Sequence, residues 1–170
     1  MEFAKIILLS VLAAVAYGVV HDQITARICI EYFTIGHPPL IRSVSPTMLG
    51  LAWGIVATWW VGLPLGWLLA SAARRGSRPK LNAAQVAPAI AALMLIVALL
   101  ALITGSTAYL LATHGRIALS QDWASLLPPR AQIPFLVDAW THIASYLFGI
   151  VGGGVLAALI YRRRASAEAA

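Results

Sequence analysis

Four apolar runs dominate this chain, and they leave it one class of fold. They cover roughly residues 3–20, 48–73, 83–112 and 135–161. Each approaches or exceeds the ~20 residues that a helix rising ~1.5 Å per residue needs to cross a hydrocarbon core ~30 Å thick. With 61% hydrophobic residues, 11% charged ones and a mean hydropathy of +0.84, the chain has too little polar surface to stay in water. Inside lipid every backbone N–H and C=O must be satisfied within the protein, which selects helices here. The expected fold is an all-α integral membrane protein, one four-helix membrane domain over residues 1–170.

A net charge of +6 would suggest nucleic acid as the partner of a soluble protein, but the charges are placed for another reason. Lys5, then Arg74, Arg75, Arg78 and Lys80, then Arg162, Arg163 and Arg164 gather at one set of helix ends, eight of the twelve basic residues. The positive-inside rule makes those ends cytoplasmic. Both termini and the loop 74–82 are then cytoplasmic, and the outer segments are 21–46 and 113–134. The outer face balances Arg27, Arg42, Arg116 and Arg130 against Asp22, Glu31, Asp122 and Asp138. The partner implied is a lipid bilayer, as for a multi-pass protein of an inner membrane, and nucleic acid is not implied. Ala14-Val15-Ala16 resembles a signal-peptidase site, but the n-region is thin, with one lysine. Cleavage there would leave three spans without changing the orientation of the rest.

All four histidines, His21, His37, His114 and His142, fall on the outer side with four of the six carboxylates. Counting about 20 residues from each cytoplasmic charge reaches Thr25 from Lys5, His142 from Arg162 and Leu100 from Lys80. His21, Asp22, Asp138, His142 and the patch Thr104 to Thr107 therefore share one level, the outer rim. Asp138 and His142, like Tyr17 and His21, are spaced i, i+4 and project from one face of a helix. Imidazole and carboxylate on two helices suit a divalent transition metal such as zinc, iron, manganese or copper. Glu31 and His37 would add ligands from the segment covering the rim. The bland alternative is that Asp138 orients His142 or caps the fourth span while His21 and Asp22 sit in interfacial water. A third reading makes His21 and His142 the axial ligands of a b-type haem, with Arg27 or Arg130 meeting the propionates.

Other chemistries fit less well. Ser145, His142 and Asp138 resemble a triad on paper, but no Gly-x-Ser-x-Gly elbow is present. The middles of the spans hold no ionisable side chain, which argues against an ion pathway. The single cysteine, Cys29, rules out an intramolecular disulfide and reads as a small apolar residue on a half-buried helix. No reaction is assigned by these residues.

The first outer segment predicts a short amphipathic helix between Asp22, a cap, and the stop signal Gly36-His37-Pro38-Pro39. Gln23, Arg27 and Glu31 recur at i, i+4, i+8, with an Arg27–Glu31 ion pair expected, beside the stripe Ile24, Ile28 and Ile35. The second outer segment predicts an interfacial helix capped by Ser120, carrying Trp123 and ending at Pro128-Pro129. His114 is expected to be solvated, and the tail 165–170 to fray. Gly50 and Gly54, Gly62 and Gly66, and Gly149 and Gly153 have the small-xxx-small spacing of close helix packing, and spans two and four are the expected pair. Trp53, Trp60 and Trp67 recur every seven residues, as a lipid- or partner-facing stripe or a cofactor wall. Such faces also suit an accessory or assembly subunit, in a homo-oligomer or a larger membrane complex.

Overall fold

A computed structural model describes residues 1–166, so the last four residues of the expected frayed tail lie outside it. The described residues are helical, with no strand: α1 (Glu2–Ile28), α2 (Ile30–Thr34), α3 (Pro46–Val56), α4 (Trp59–Arg74), α5 (Ala83–Thr113), α6 (Gln121–Leu126) and α7 (Pro129–Ser166). Four of the helical stretches are long and apolar enough to cross a membrane: Glu2–Ile28, Pro46–Arg74, Ala83–Thr113 and Pro129–Ala165. Their outward faces carry large apolar side chains, among them Leu8, Leu12, Leu95, Leu99, Leu102, Ile143 and Leu147, as a lipid solvent requires.

Local signals account for the helix ends. Ser45 caps α3, its hydroxyl accepting from the Met48 N–H, with Pro46 at the first helical position. Asn82 and Gln85 form a reciprocal capping box on α5, and Glu2 accepts from the Ala83 N–H at the same helix start. At its other end α5 stops in a Schellman turn: Gly115 takes a φ of +66°, its N–H donates to the Ala112 carbonyl, and the Arg116 N–H donates to that of Leu111.

Two expectations change. The first span does not end near Val20 with a separate amphipathic helix after Asp22. Instead α1 runs on to Ile28 and breaks at Cys29, whose φ of −145° and ψ of 99° are extended. That break removes the helical register between Arg27 and Glu31, so the expected ion pair gives way to other partners. Arg27 donates to the Gln23 side chain and to the Thr47 hydroxyl. The second span is also divided, because Ala57 and Thr58 form a turn between α3 and α4. Trp53 therefore leaves the stripe of Trp60 and Trp67 and turns toward His37, with ring centroids 4.8 Å apart.

Around the bundle the order is second span, α1, α5, α7 and back to α4, which places α1 and α7 across a diagonal. The glycines of the second span explain the first of these contacts and correct the expected pairing of spans two and four. A Cβ on Gly54 would stand 2.6 Å from the Val19 Cα, one on Gly50 2.8 Å from the Asp22 carbonyl oxygen, and one on Gly66 2.8 Å from the Ile7 Cα. All three neighbours belong to α1. Gly153 meets only the far end of the Leu65 side chain, and nothing lies within 4 Å of a Cβ on Gly149. Backbone contact through glycine thus fixes α1 on the second span, and this seats His21 and Asp22 against the bundle interior.

The two ends of the bundle are built differently. At the basic end Ile6, Leu69, Ala70, Ala73, Val86, Ile90, Ala157 and Ile160 form one apolar core. Above it, buried Arg164 reaches from α7 into the 74–82 loop and donates to the carbonyls of Ala72 (2.6 Å), Pro79 (2.7 Å), Arg75 (2.9 Å) and Arg78 (3.0 Å). At the histidine end two small clusters, Ala26 with Phe33 and Leu49, and Cys29 with Leu127, Ala131 and Phe135, surround a polar group.

Candidate metal centre

The diagonal pair α1 and α7 supplies this group. His21 and Asp22 on α1 and His142 on α7 each offer a ligand atom, and the three atoms lie within 4.8 Å of one another. Asp22 is buried, and its Oδ1 is 3.2 Å from Nε2 of His142. The two imidazoles meet edge to face, centroids 4.7 Å apart. That contact leaves no gap for a porphyrin between them, so the arrangement expected of a bis-histidine haem is not formed.

Hydrogen bonds orient both rings the same way. The His142 Nδ1 lies 2.8 Å from the Asp138 carbonyl oxygen, which can only accept, so Nδ1 carries the proton. The i, i+4 spacing of Asp138 and His142 therefore orients the imidazole through the backbone and not through the carboxylate. Nε2 of His142 faces Asp22, and that pair needs one proton between its atoms or a cation in the proton's place. For His21 the same conclusion follows along a chain of hydroxyls. Ser145 donates to the Thr141 carbonyl at 2.9 Å, so its oxygen accepts from the Tyr17 hydroxyl at 2.7 Å. Tyr17 in turn accepts from the His21 Nδ1–H at 3.4 Å. The Nε2 of His21 is left with a lone pair, buried and without a hydrogen-bond partner. A metal-ligating histidine is commonly held in this manner, one nitrogen donating to an acceptor and the other facing the ion.

Aromatic side chains roof the group. Tyr32 stacks on His142 with centroids 4.5 Å apart and an interplanar angle of 29°, and Phe33 approaches the same ring. Both come from α2, which the break at Cys29 turns across the end of the bundle. Burial, with the Asp138 and Asp22 charges adding, pushes the Tyr32 phenol well above its ordinary value. The roof is a low-polarity layer.

The remaining candidates stand apart from the three-residue group. Glu31 accepts from the Cys29 thiol at 3.6 Å. His37 packs on Tyr32 and hydrogen bonds to its carbonyl through Nδ1 at 2.8 Å. His114 is exposed and bonds to the Leu110 carbonyl. Asp138 is fully buried, and neither of its carboxylate oxygens has a hydrogen-bond partner. Asp22 is near enough to repel it. Such a carboxylate is costly in a low-dielectric interior unless a proton or a cation accompanies it.

Sequence reasoning did not find Tyr17, Ser145 and Tyr32 as supports of the histidines, although the i, i+4 spacing of Tyr17 and His21 was a usable signal for the first. Nor did it find the two cavities flanking His21. One, of about 560 Å³, lies between α1, α5 and α7; the other, of about 460 Å³, lies between α1, α4, α5 and α7 and includes Asp22 and His142 in its wall. No protein-family model, no curated protein and no solved structure matches this chain.

Proposed function

We propose that this is a metal-binding membrane protein that holds a divalent transition ion through His21, Asp22 and His142. The observation that carries the reading is the shared orientation of the two imidazoles. Each is anchored at Nδ1, which leaves Nε2 to bind: that of His142 faces the Asp22 carboxylate, and that of His21 is a buried lone pair with no partner. Two imidazoles and one carboxylate are a donor set suited to zinc or iron, and manganese and copper accept the same ligands. Three protein ligands leave at least one coordination position open, as in metal sites that act on a substrate. Asp138 supplies a second carboxylate close by, so two negative charges would offset a divalent cation. Glu31 and His37 stand outside this ligand set.

The orientation in the membrane is part of the proposal. The basic end, with Arg74, Arg75, Arg78, Lys80 and the arginines of α7, faces the cytoplasm, and the metal site faces the periplasm or exterior of an inner membrane.

Elemental analysis of detergent-purified protein that has never met a chelator tests the site. Near-stoichiometric zinc, iron, manganese or copper is expected in the wild type and none in the His21→Ala/His142→Ala double variant. A metal-free wild type, or a double variant that keeps its metal, rejects the reading.

A further inference from the structure

At the basic end two arginines lie on aromatic rings that face lipid. The Arg75 guanidinium stands 5.0 Å from the centre of the Trp67 ring, and that of Arg78 stands 4.2 Å from the centre of the Tyr161 ring. Each of these aromatic residues is 49% exposed on the outer surface of the bundle, one on α4 and the other on α7. Trp67 lies about two turns inside the end of α4, roughly 10 Å at ~1.5 Å per residue. Arg75, which follows that end, therefore folds back toward the hydrocarbon layer, whereas a loop arginine drawn only to water would turn away from it. Aromatic rings with amphipathic edges settle at head-group level, and a cation on the face of such a ring is held at the depth of the lipid phosphates.

The backbone keeps the two arginines together. Nη2 of Arg164 donates to the Arg75 carbonyl at 2.9 Å and to the Arg78 carbonyl at 3.0 Å, so those two oxygens are no farther apart than the two bonds laid end to end, about 5.9 Å. From this one clasp the two side chains reach rings on neighbouring spans, α4 and α7. Arg74 is turned elsewhere, donating to the Leu81 carbonyl at 2.9 Å. The buried guanidinium of Arg164 thus preorganises the loop that presents the other two.

Charge and depth together select the occupant. The outer segments are electrically balanced, so the whole +6 of the chain belongs to this end, where eight basic residues meet only Glu2 and Glu168. Glu2 is already engaged, by Lys5 at 2.7 Å and by the Ala83 N–H at 3.0 Å. A guanidinium matches a phosphate in charge and in the spacing of its fork, and stacking on a ring occupies the face of its plane and not the N–H edge. A soluble anion approaches from water and gains nothing from lipid-facing rings. An anionic phospholipid brings its phosphate to their depth and lays its chains on the apolar outer faces of the same helices, Leu63 and Leu68 on α4 and Val155 and Leu159 on α7. We infer that the basic end binds the phosphate of an anionic phospholipid between Arg75 and Arg78, on the Trp67 and Tyr161 rings. This site is independent of any metal at the histidine end.

Native mass spectrometry of the full chain released from detergent counts the lipids that stay bound. The probes are phosphatidylglycerol and phosphatidylcholine with the same oleoyl chains, which share a phosphate and differ in net charge. Glycerol phosphate, an anion without chains, is the soluble competitor. The wild type is expected to hold phosphatidylglycerol about tenfold more tightly than phosphatidylcholine and to keep it in excess glycerol phosphate. Arg75→Gln/Arg78→Gln is expected to lose that preference. It leaves the Arg164 clasp in place, because the clasp uses the carbonyls of these residues and not their side chains. Arg162→Gln/Arg163→Gln removes two exposed positive charges from the same end and is expected to keep most of the preference. Equal losses in the two double variants would mean a diffuse field without a site and would overturn the inference. So would a wild type without preference, or displacement of the lipid by glycerol phosphate. If Arg75→Gln/Arg78→Gln does not fold, Trp67→Leu decides: it alters no charge and is expected to weaken phosphatidylglycerol several-fold, and unchanged binding there overturns the inference.

Discussion

Arg164 and Asp138 are both ionisable side chains buried in the same helix, 1% and 0% exposed, and their surroundings are opposite. Arg164 has four carbonyl acceptors, from the end of α4 and the loop that follows it. A guanidinium presents its donors in a rigid planar fork, and α4 ends with carbonyls that lack helical partners, so each completes the other. Asp138 has no hydrogen-bond partner for either oxygen, and Asp22 beside it has the same sign. One charge is consumed in holding the fold closed. The other is left needing a positive partner, in the region where two imidazoles present their Nε2 atoms. The contrast is one reason for proposing the metal site at the histidine end.

Breaking the satisfied charge should have the larger consequence for stability. Arg164→Ala leaves four carbonyls without their donor and detaches α7 from the 74–82 loop. We expect a loss of about 3 kcal/mol, seen as a fall of roughly 6–12 °C in the unfolding temperature in detergent for a chain of this size. Arg164→Lys is expected to recover only part of it, because a compact ammonium cannot span the same acceptors. An unchanged melting temperature in Arg164→Ala would show that the clasp holds nothing.

Asp138→Asn should move stability the other way. An amide of the same shape needs neither a proton nor a cation to be neutral there, so metal-free protein is expected to hold its stability or gain about 1 kcal/mol. The same change removes one of the two charges that offset a bound cation. Retention of zinc is expected to weaken about 10–100-fold, the range typical of groups that support metal ligands. Melting curves of chelator-treated samples and a zinc competition assay separate the two effects. If Asp138→Asn destabilised the protein as Arg164→Ala does, the two buried charges would be alike and the contrast would fail.

The sequence made much of the histidine end readable and little of the basic end. Helical rise is constant, so counting from Lys5 and Arg162 places His21, Asp22, Asp138 and His142 at one depth before any packing is known. Depth carries no information about the order of helices around the bundle. A run of glycines says that a neighbour comes close, without saying which, and so Gly50 to Gly66 pointed at the fourth span when their partner is α1. Arg164 reads as one of three terminal arginines in solvent, because burial of a guanidinium depends on acceptors from a loop some 85 residues away in sequence. The extended backbone of Cys29 was hidden for the opposite reason: Ile28-Cys29-Ile30 has no glycine or proline to mark a break. Without that break α2 would not cross the bundle end, and Tyr32 would not roof His142.

Cys29 gives the smallest effect and a direct probe of how closed that end is. Its thiol is buried among Leu127, Ala131 and Phe135. Burial first, with the charges of Asp138 and Glu31 adding, pushes it from an ordinary 9.0 up to about 12. Below pH 9 the thiol is protonated in both folded and unfolded chains and contributes no pH dependence. Between about pH 9 and pH 12 the unfolded chain releases the proton while the folded chain keeps it, so stability should fall as pH rises through that window. Because the thiolate is the reactive form, maleimide at pH 8 should label Cys29 in unfolding detergent and scarcely at all in the folded protein. Fast labelling of the folded chain at pH 8 would mean that water reaches the space under α2. An open, wet histidine end would also hydrate Asp138, and its difference from Arg164 would then be one of exposure in solution and not of an unfilled charge.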